Sequence, residues 1–232
     1  MKTAIVSAMR EELAAVLALL PDEQCQRVAG RDFWVGHLHG QEVVAVLARI
    51  GKVAAATTAT LLAERFRVDR VVFTGVAGGI GAGVRVGDAV VADAFLQHDM
   101  DASPLFPRHE VPLYGMSRFE ADPALRAALL QATRQALPQA QVHEGLIVSG
   151  DRFVSSSAEV RALRAALPDV LAVEMEGAAF AQVCHDFDLP FAAVRTISDR
   201  ADEAAHGDFL QFVRTVASPA SAAIVQALLA AT

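Results

Sequence analysis

Carboxylic acids follow three separate apolar runs in this sequence, at the positions where a strand would end. They are Glu11 and Glu12, Glu174 and Glu176, and Asp199. In open α/β sheets, ligands bind in the crevice beyond the carboxyl ends of the strands, so acids at those ends can reach a ligand. A single acid of this kind is most simply a helix cap, because the N-terminal end of a helix stabilises carboxylates. Three such ends in one chain predict instead a ligand site that contains acids.

The glycine-rich segment at residues 75–83 follows a predicted strand and suggests nucleotide binding. It contains no Gly-x-Gly-x-x-Gly, and a strand-like run follows it where a helix should begin, so it does not match the dinucleotide fingerprint. Gly51-Lys52 does not form a P-loop either, because Val46 and Val53 stand where that motif needs glycine and a hydroxyl residue. Since glycine allows close approach of the backbone, we predict that the run contacts a small ligand.

Residues 98–101, His-Asp-Met-Asp, could supply metal ligands. Alternation along a strand would send His98 and Asp99 to opposite faces, and no second His/Asp cluster has metal-ligand spacing. The serine-nucleophile motif Gly-x-Ser-x-Gly is absent from the sequence. We therefore expect neither a metal nor a cofactor.

The composition narrows the classes of function. The 232 residues, 53% of them hydrophobic, suffice for one α/β domain, and no linker or repeat divides them, so residues 1–232 are predicted to be a single domain. A net charge of −7 without a Lys/Arg cluster argues against nucleic acid and against an anionic membrane as partners. The first apolar stretch is too short for a signal peptide, and residues 215–232 predict a helix buried on one side. Cys25 and Cys184 form no disulfide framework, which favours a cytoplasmic protein.

Short Val/Ile/Ala-rich runs alternate with amphipathic stretches, which predicts an α/β layer fold. Strands are predicted at residues 3–7, 32–38, 42–49, 70–74, 88–97, 142–149, 171–173 and 191–197, and helices at 11–20, 52–66, 123–137, 158–167, 176–187 and 208–230. His39-Gly40 predicts a tight hairpin and hence a mixed sheet, and Asp122-Pro123 predicts a helix start. Residues 99–117 contain three prolines and several apolar residues without a period, which favours a loop that covers a site or a partner subunit.

Seven short motifs stand in the order expected of one known family. They are Ala8-Met9-x-x-Glu12, Gly51-Lys52-Val53-Ala54-Ala55-Ala56, Ala77-Gly78-Gly79, Val86-Gly87-Asp88, Ser149-Gly150-Asp151-x-Phe153, Val173-Glu174-Met175-Glu176 and Ile197-Ser198-Asp199. Through these motifs the chain resembles the 5′-methylthioadenosine/S-adenosylhomocysteine nucleosidases of the nucleoside phosphorylase superfamily, and the resemblance extends over essentially its whole length. The resemblance implies a three-layer α/β/α sandwich around a twisted mixed β-sheet, a homodimer with a shared active site, and a place in methionine salvage.

The resemblance also implies a role for each matched position. Asp199, oriented by Ser198, would protonate nitrogen 7 of adenine, and Glu12 would hold and activate the attacking water. Glu176 would bind the ribose hydroxyls, with Met175 against the sugar. The family further implies that Phe153 stacks on the base, that the backbone of Val154 contacts the edge of the base, and that Ala77, Gly78 and Glu174 also contact the substrate. Around the 5′ substituent it implies Met9, Ile50 and Phe209, together with Ala102, Leu105 and Pro112 from the neighbouring subunit.

The chemistry of the implied reaction agrees with these roles. Cleavage of an N-ribosidic bond builds positive charge on the ribosyl group and negative charge on the departing base. An acid must therefore meet the base and anionic or polar groups must face the sugar, much as two carboxylates divide the work in glycoside hydrolysis. The resemblance thus implies an N-glycosyl hydrolase that acts on 5′-methylthioadenosine, S-adenosylhomocysteine and related 5′-substituted adenosines.

Three alternatives remain open. A phosphorylase of the same superfamily needs cations or donors for phosphate, yet Phe73 and Val76 occupy the positions where such enzymes carry Arg and a hydroxyl residue. A non-catalytic nucleoside-binding protein would not need both Glu12 and Asp199. A nucleosidase for aminodeoxyfutalosine or 5′-deoxyadenosine is compatible with the sequence, because Val76 and Arg10 depart from the usual nucleosidase pattern.

Overall fold

One ten-stranded mixed sheet organises the computed structural model, which describes residues 1–202 and 209–231. The strands are β1 Lys2–Ser7, β2 Gln24–Val28, β3 Arg31–Leu38, β4 Gln41–Leu47, β5 Arg70–Gly79, β6 Ala89–Gln97, β7 Arg118–Glu120, β8 Val142–Ser149, β9 Val170–Glu174 and β10 Phe191–Asp199. Their order is β10-β6-β8-β9-β5-β1-β4-β3-β2, with β7 on β6. Because β10 also pairs with β5, half of the sheet closes on itself like a small barrel, and β1 to β4 extend from it.

Helices cover both faces of the sheet. They are α1 Arg10–Leu17, α2 Lys52–Leu61, α3 Pro123–Ala136, α4 Ser157–Ala166, α5 Gly177–Asp186, α6 Phe209–Phe212 and α7 Ser218–Ala230. A π-helical turn, Leu62–Phe66, prolongs α2, and another, Val213–Ala217, joins α6 to α7.

The alternation of buried side chains along the strands builds two cores. On β1, Val6 packs in the core that contains α2 and α5, whereas Ile5 packs in the core that contains α1, α3 and α7. Successive side chains of a strand point to opposite faces, and a strand buried on both faces is a continuous apolar run. The predicted three-layer α/β/α sandwich around a mixed sheet is therefore confirmed.

Local signals at turns and helix starts are also confirmed. His39 and Gly40 both have positive φ, 50° and 77°, as a two-residue type I′ hairpin requires, and they join the antiparallel strands β3 and β4. Asp122 caps α3 by accepting a hydrogen bond from the Leu125 amide at 2.8 Å, with Pro123 at the first helical position.

Several predicted boundaries are wrong for physical reasons. The strand predicted at residues 70–74 continues to Gly79, because its glycine-rich half pairs with both β10 and β9. The sequence analysis missed β2 and β7; β2 is largely exposed and lacks an apolar alternation, and β7 has only three residues. The helix predicted at 208–230 is interrupted by a π-helical turn, and its first residue lies outside the described residues.

The C-terminal helical segment, Val213–Ala230, is long and apolar enough to cross a membrane by length and composition alone. Half of it is buried in the protein, and α7 packs against α1 and α3. Ile224 and Leu228 belong to the core on that face of the sheet. The segment is thus the one-sided buried helix that the sequence predicts.

Candidate active site

A mostly apolar cavity of about 180 Å³ lies where the carboxyl ends of β1, β5, β9 and β10 converge. Gly78 near the end of β5 pairs with both Asp199 of β10 and Val173 of β9, which brings these strand ends together. The cavity is lined by Ala8, Met9, Ile50, Val76, Ala77, Gly78, Arg152, Phe153, Val154, Val173, Glu174, Met175, Glu176, Ser198 and Asp199. The carboxyl edge of the sheet therefore forms a pocket where Glu174, Glu176 and Asp199 converge. Glu12 does not itself line the cavity, but it accepts a hydrogen bond from the amide of Met9, which does.

Asp199 stands at the end of β10 with both carboxylate oxygens held. The Ser198 hydroxyl donates to Oδ2 at 2.7 Å, and the Ala201 amide donates to Oδ1 at 2.7 Å. A register shift between Ile197 and Asp199 marks an irregularity at this end of the strand. The carboxyl group thus has a fixed orientation at the cavity wall, which a proton donor to a bound base requires.

Glu12 lies on the first turn of α1 and is completely buried. Its Oε2 accepts a hydrogen bond from the Met9 amide at 3.1 Å, while Oε1 has no hydrogen-bond partner among the described residues. Burial raises the pKa of Glu12 to about 7, against the smaller opposing effects of the Met9 amide and the charge of Arg195. A carboxyl group with a pKa near neutrality and one free oxygen is suited to take a proton from water.

Glu176 follows β9 and occupies the N-cap position of α5, where its side chain makes no capping hydrogen bond. Its Oε1 accepts a hydrogen bond from the Gly51 amide at 2.9 Å. Burial and then the charge of Glu174 raise the pKa of Glu176. Met175 lies beside it in the cavity wall.

Glu174 lines the cavity, but its carboxylate is engaged by the protein. Its oxygens accept hydrogen bonds from the Gly177 amide at 2.9 and 3.0 Å and from the Ser149 hydroxyl. Oε2 also accepts from Arg195 at 2.9 Å. These bonds fix the start of α5, and with it the neighbouring Glu176.

Arg195 donates to Glu174 of the cavity wall and was not predicted as a site residue from the sequence. Its side chain is fully buried, donates to the carbonyls of Phe73 and Val194, and lies 4.1 Å from the centroid of the Phe73 ring. Its charge lowers the pKa values of Glu12 and Glu176 against the effect of their burial. An arginine inside the apolar run of β10 was the available signal, because a charge is rarely buried without a partner.

The remaining predicted positions divide into two groups. Met9, Ile50, Ala77, Gly78, Phe153 and Val154 line the cavity. Ala102, Leu105 and Pro112 do not line it; they lie on the irregular loop at residues 99–117, and Leu105 is 84% exposed. The side chain of Phe209 lies outside the described residues.

Val76 and Arg10, which depart from the pattern of the family that the chain resembles, differ in their position relative to the cavity. Val76 lines the cavity, and Arg10 is exposed at the start of α1, outside the cavity lining. The cavity also contains Arg152, which the sequence analysis did not single out and which pairs with Glu159. Within the described ranges, no group of three or more His, Cys, Asp or Glu side chains could hold a metal ion.

Comparison with known proteins agrees with this fold. Residues 2–230 match the family model described as the phosphorylase superfamily, which defines the class of protein. A 5′-methylthioadenosine/S-adenosylhomocysteine nucleosidase of Geobacillus thermodenitrificans is 40% identical over 230 residues, 98% of this chain and 96% of that protein. The chain therefore belongs to the family of 5′-methylthioadenosine/S-adenosylhomocysteine nucleosidases within the phosphorylase superfamily.

Two solved structures extend the comparison. The Neisseria meningitidis nucleosidase in complex with methylthio-immucillin-A has a TM-score of 0.94 and 37% identity, covering 100% of this chain and 99% of that one. A futalosine hydrolase mutant of Helicobacter pylori has a TM-score of 0.93 and 32% identity, covering all of both chains.

Proposed function

We propose that this protein hydrolyses the N-ribosidic bond of 5′-methylthioadenosine, S-adenosylhomocysteine and related 5′-substituted adenosines to adenine and the free 5-substituted ribose. The observation that carries the proposal is a pair of differently held carboxyl groups, one in the cavity wall and one hydrogen-bonded to the backbone of that wall at Met9. Asp199 is oriented at the cavity wall by Ser198, and Glu12 is buried with one free oxygen and a pKa of about 7. The names of the relatives in the family support the same reaction.

The acid side of the reaction belongs to Asp199 in this proposal. Adenine is a poor leaving group as an anion, so a proton delivered to nitrogen 7 lets it depart neutral. The Ser198 hydroxyl and the Ala201 amide keep the Asp199 carboxyl group in one orientation. Phe153 at the cavity wall supplies an aromatic face for the base.

The sugar side of the reaction belongs to Glu176 and Glu12. The ribosyl group becomes positively charged as the bond breaks, and carboxylates near it stabilise that charge. Glu176 uses one oxygen for the Gly51 amide and has a second for the ribose hydroxyls. Glu12 takes the proton of the water that attacks the anomeric carbon, so the water's oxygen becomes the new hydroxyl group of the sugar.

Water is favoured over phosphate as the nucleophile. Phe73 and Val76 are apolar at the positions where a phosphorylase carries an arginine and a hydroxyl residue. The buried Arg195 already donates to Glu174 and to two backbone carbonyls. A phosphate dianion would need a cluster of free donors or cations.

A substrate panel tests this reaction and its alternatives. We expect adenine release from 5′-methylthioadenosine in phosphate-free buffer, with the free sugar as the second product. A strict requirement for phosphate, or a sugar 1-phosphate product, would contradict hydrolysis. Binding without any release of adenine would favour a non-catalytic nucleoside-binding protein. Preference for aminodeoxyfutalosine or 5′-deoxyadenosine would support the alternative that the futalosine hydrolase neighbour keeps open.

We further propose a cytoplasmic, single-domain enzyme of methionine salvage that works as a homodimer with shared active sites. Ile50, Val53, Leu105 and Leu113 are all more than half exposed, and a partner subunit would remove these large apolar side chains from water. Ile50 belongs to the cavity wall, so a partner that covers this surface would complete the 5′ end of the pocket. Cys25 and Cys184 are both free, as is usual in a reducing compartment.

A further inference from the structure

The motif that begins with Gly51-Lys52 has no assigned part in the reaction, yet it touches the site. Gly51 precedes α2, and its amide donates to Glu176 Oε1 at 2.9 Å. We propose that Lys52 and Asp151 are positioning residues that clamp the start of α2 against Glu176, so that one oxygen of Glu176 is fixed and the other is free for ribose. The inference rests on the proposed function, in which Glu176 binds the ribose hydroxyls.

Three side chains from separate parts of the chain close the clamp. The Lys52 amide donates to Asp151 Oδ1 at 2.7 Å, and its ammonium group donates to Asp99 Oδ1 at 2.6 Å. The Asp151 amide donates to Asp99 Oδ2 at 2.9 Å. Lys52 starts α2, Asp99 follows β6, and Asp151 follows β8. The start of α2 is therefore tied to two strand ends, and no single one of the three residues can move freely.

The clamp is sheltered from water on the side of Lys52. The Lys52 side chain is 17% exposed and also donates to Gln97 Oε1 at 3.0 Å, while Gln97 in turn donates to Gln182 on α5 at 2.7 Å. Burial opposes the charge of Asp99, but the hydrogen bonds from Lys52 and from the Asp151 amide lower its pKa overall. A partly buried pair held by several hydrogen bonds is ordered more strictly than an exposed pair of ions.

The backbone at Gly51 fits this close approach. Its φ is 93°, a region in which side chains are strained, and a Cβ atom there would lie 3.1 Å from Asp151 Oδ1. Glycine therefore lets the peptide pass between Asp151 and Glu176. The position of the Gly51 amide is in consequence set by Asp151 on one side and by Glu176 on the other.

The consequence for Glu176 is electrostatic. Burial and the charge of Glu174 raise the pKa of Glu176, and the Gly51 amide, the charge of Arg195 and the Met175 amide act against them. If the start of α2 moves away from Glu176, the Glu176 carboxylate loses the hydrogen bond from the Gly51 amide and takes up a proton more readily. A protonated Glu176 is a poorer acceptor for the ribose hydroxyls.

Paired variants of Asp151 and Lys52 test the clamp. Asp151→Ala removes the acceptor for the Lys52 amide, whereas Asp151→Asn keeps an oxygen at that position. Lys52→Met removes the ammonium group, whereas Lys52→Arg keeps a cation. We expect Asp151→Ala and Lys52→Met to raise KM for 5′-methylthioadenosine about tenfold with a smaller fall in kcat. The acid limb of kcat/KM should move to higher pH, and Asp151→Asn should recover most of the loss.

Two readouts separate positioning from general damage. The affinity for free adenine, which lacks ribose, should stay unchanged in these variants. Carbon-13 NMR titration of glutamate carboxyl groups, with the Glu176 signal assigned by Glu176→Gln, should show a higher pKa for Glu176 in Lys52→Met than in the parent. The control is Asp169→Asn, which removes a charge from an exposed pair with Arg118 elsewhere in the molecule.

The outcomes are distinct. An unchanged pH profile and an unchanged Glu176 titration in folded Asp151→Ala and Lys52→Met would overturn the clamp, as would a parallel loss of adenine affinity. If one of these variants fails to fold, the other carries the comparison together with Asp99→Asn, which weakens the contacts of Asp99 with the Lys52 ammonium group and the Asp151 amide and must shift the Glu176 titration in the same direction. If the parent protein cleaves no nucleoside, the proposed function fails, while the titration and the adenine measurement still decide on the clamp.

Discussion

At the scale of single residues, the acids of the site could be predicted from sequence and their environment could not. Glu12, Glu176 and Asp199 stand out because each follows a strand and matches a family motif. Arg195 has a local signal, its place inside the apolar run of β10, but its partner, Glu174, is 21 residues away and could not be predicted from that run. The same holds for Glu12, whose isolation from solvent follows from the packing of α1 on the sheet.

The variants Asp199→Asn and Glu12→Gln should lose catalytic activity for different reasons. Asp199→Asn keeps its shape but cannot deliver a proton, and general acid catalysis is worth roughly a hundredfold to ten-thousandfold. We expect kcat to fall by that order, with little change in the binding of a substrate analogue. Glu12→Gln keeps a hydrogen-bonding group but loses its basicity, so kcat should fall as well.

A substrate whose leaving group needs no protonation separates these two roles. Steady-state kinetics should show that it partly rescues Asp199→Asn and leaves Glu12→Gln inactive. Equal rescue of both variants, or near-normal turnover of adenosines by either, would mean that the acid and the base are assigned wrongly.

The buried Glu12 should also destabilise the protein at alkaline pH. Its pKa rises from 4.5 to about 7 on folding, so between these values the folded state binds more protons than the unfolded state. The free energy of unfolding therefore falls as pH rises through this window. Relative to wild type, Glu12→Gln should gain about 2 kcal/mol or more of stability between pH 5 and pH 8.

Urea unfolding at several pH values measures this gain. Glu11→Gln, the same change one residue earlier and on a partly exposed side chain, is the matched control. A Glu12→Gln variant whose stability runs parallel to that of wild type over this range would show that the Glu12 carboxyl group is not desolvated in the folded state.

At the scale of elements, sequence patterns found the helices and most strands, but not the ends that build the site. Short apolar runs placed β1, β4 and β8 well, whereas the glycine-rich half of β5 shows no strand pattern. Its pairing is set by neighbours distant in the chain, β9 and β10. The final glycines of β5 reflect tertiary crowding, since a Cβ atom on Gly79 would lie 2.7 Å from Ile197 Cγ2.

Gly78 offers a test of this crowding next to the catalytic acid. A Cβ atom there would lie 2.8 Å from the Ala201 Cβ and 3.1 Å from Asp199 Oδ1. Gly78→Ala should displace Asp199 and lower kcat on the order of a hundredfold, because small misplacements of a catalytic group are costly. Adding Ala201→Gly removes the first clash and should recover part of the activity.

The double variant is also favourable for the backbone at position 201. Ala201 has a φ of 54°, which glycine adopts without strain. Thermal unfolding would establish that each variant is folded before kcat is compared. An active Gly78→Ala variant, or a double variant no better than the single one, would contradict the role given to this contact.

At the scale of the whole molecule, the layer fold could be predicted, and the closure of the sheet could not. Alternating apolar runs and helices predict three layers, but the pairing of β10 with both β5 and β6 depends on sheet curvature. The loop at residues 99–117 was predicted from its length, prolines and lack of period, and among its residues the structure has only turns and one isolated bridge, Val111 to Met116. Its proposed partner is a second copy of the chain, which a single sequence does not specify.

The proposed dimer is testable through the exposed apolar residues of this loop. Leu105 is 84% exposed and Leu113 is 92% exposed, and burial of each leucine in an interface would contribute roughly 1.5–3 kcal/mol. Leu105→Glu with Leu113→Glu places two charges in that interface, so we expect dissociation into monomers at micromolar concentration in sedimentation experiments.

KM for 5′-methylthioadenosine should rise together with dissociation, because Ile50 would lose its cover and the 5′ substituent would face water. Val86→Glu, at an exposed apolar residue outside the loop, is the control and should leave the dimer intact. A wild-type protein that is monomeric and fully active would refute both the dimer and the shared pocket.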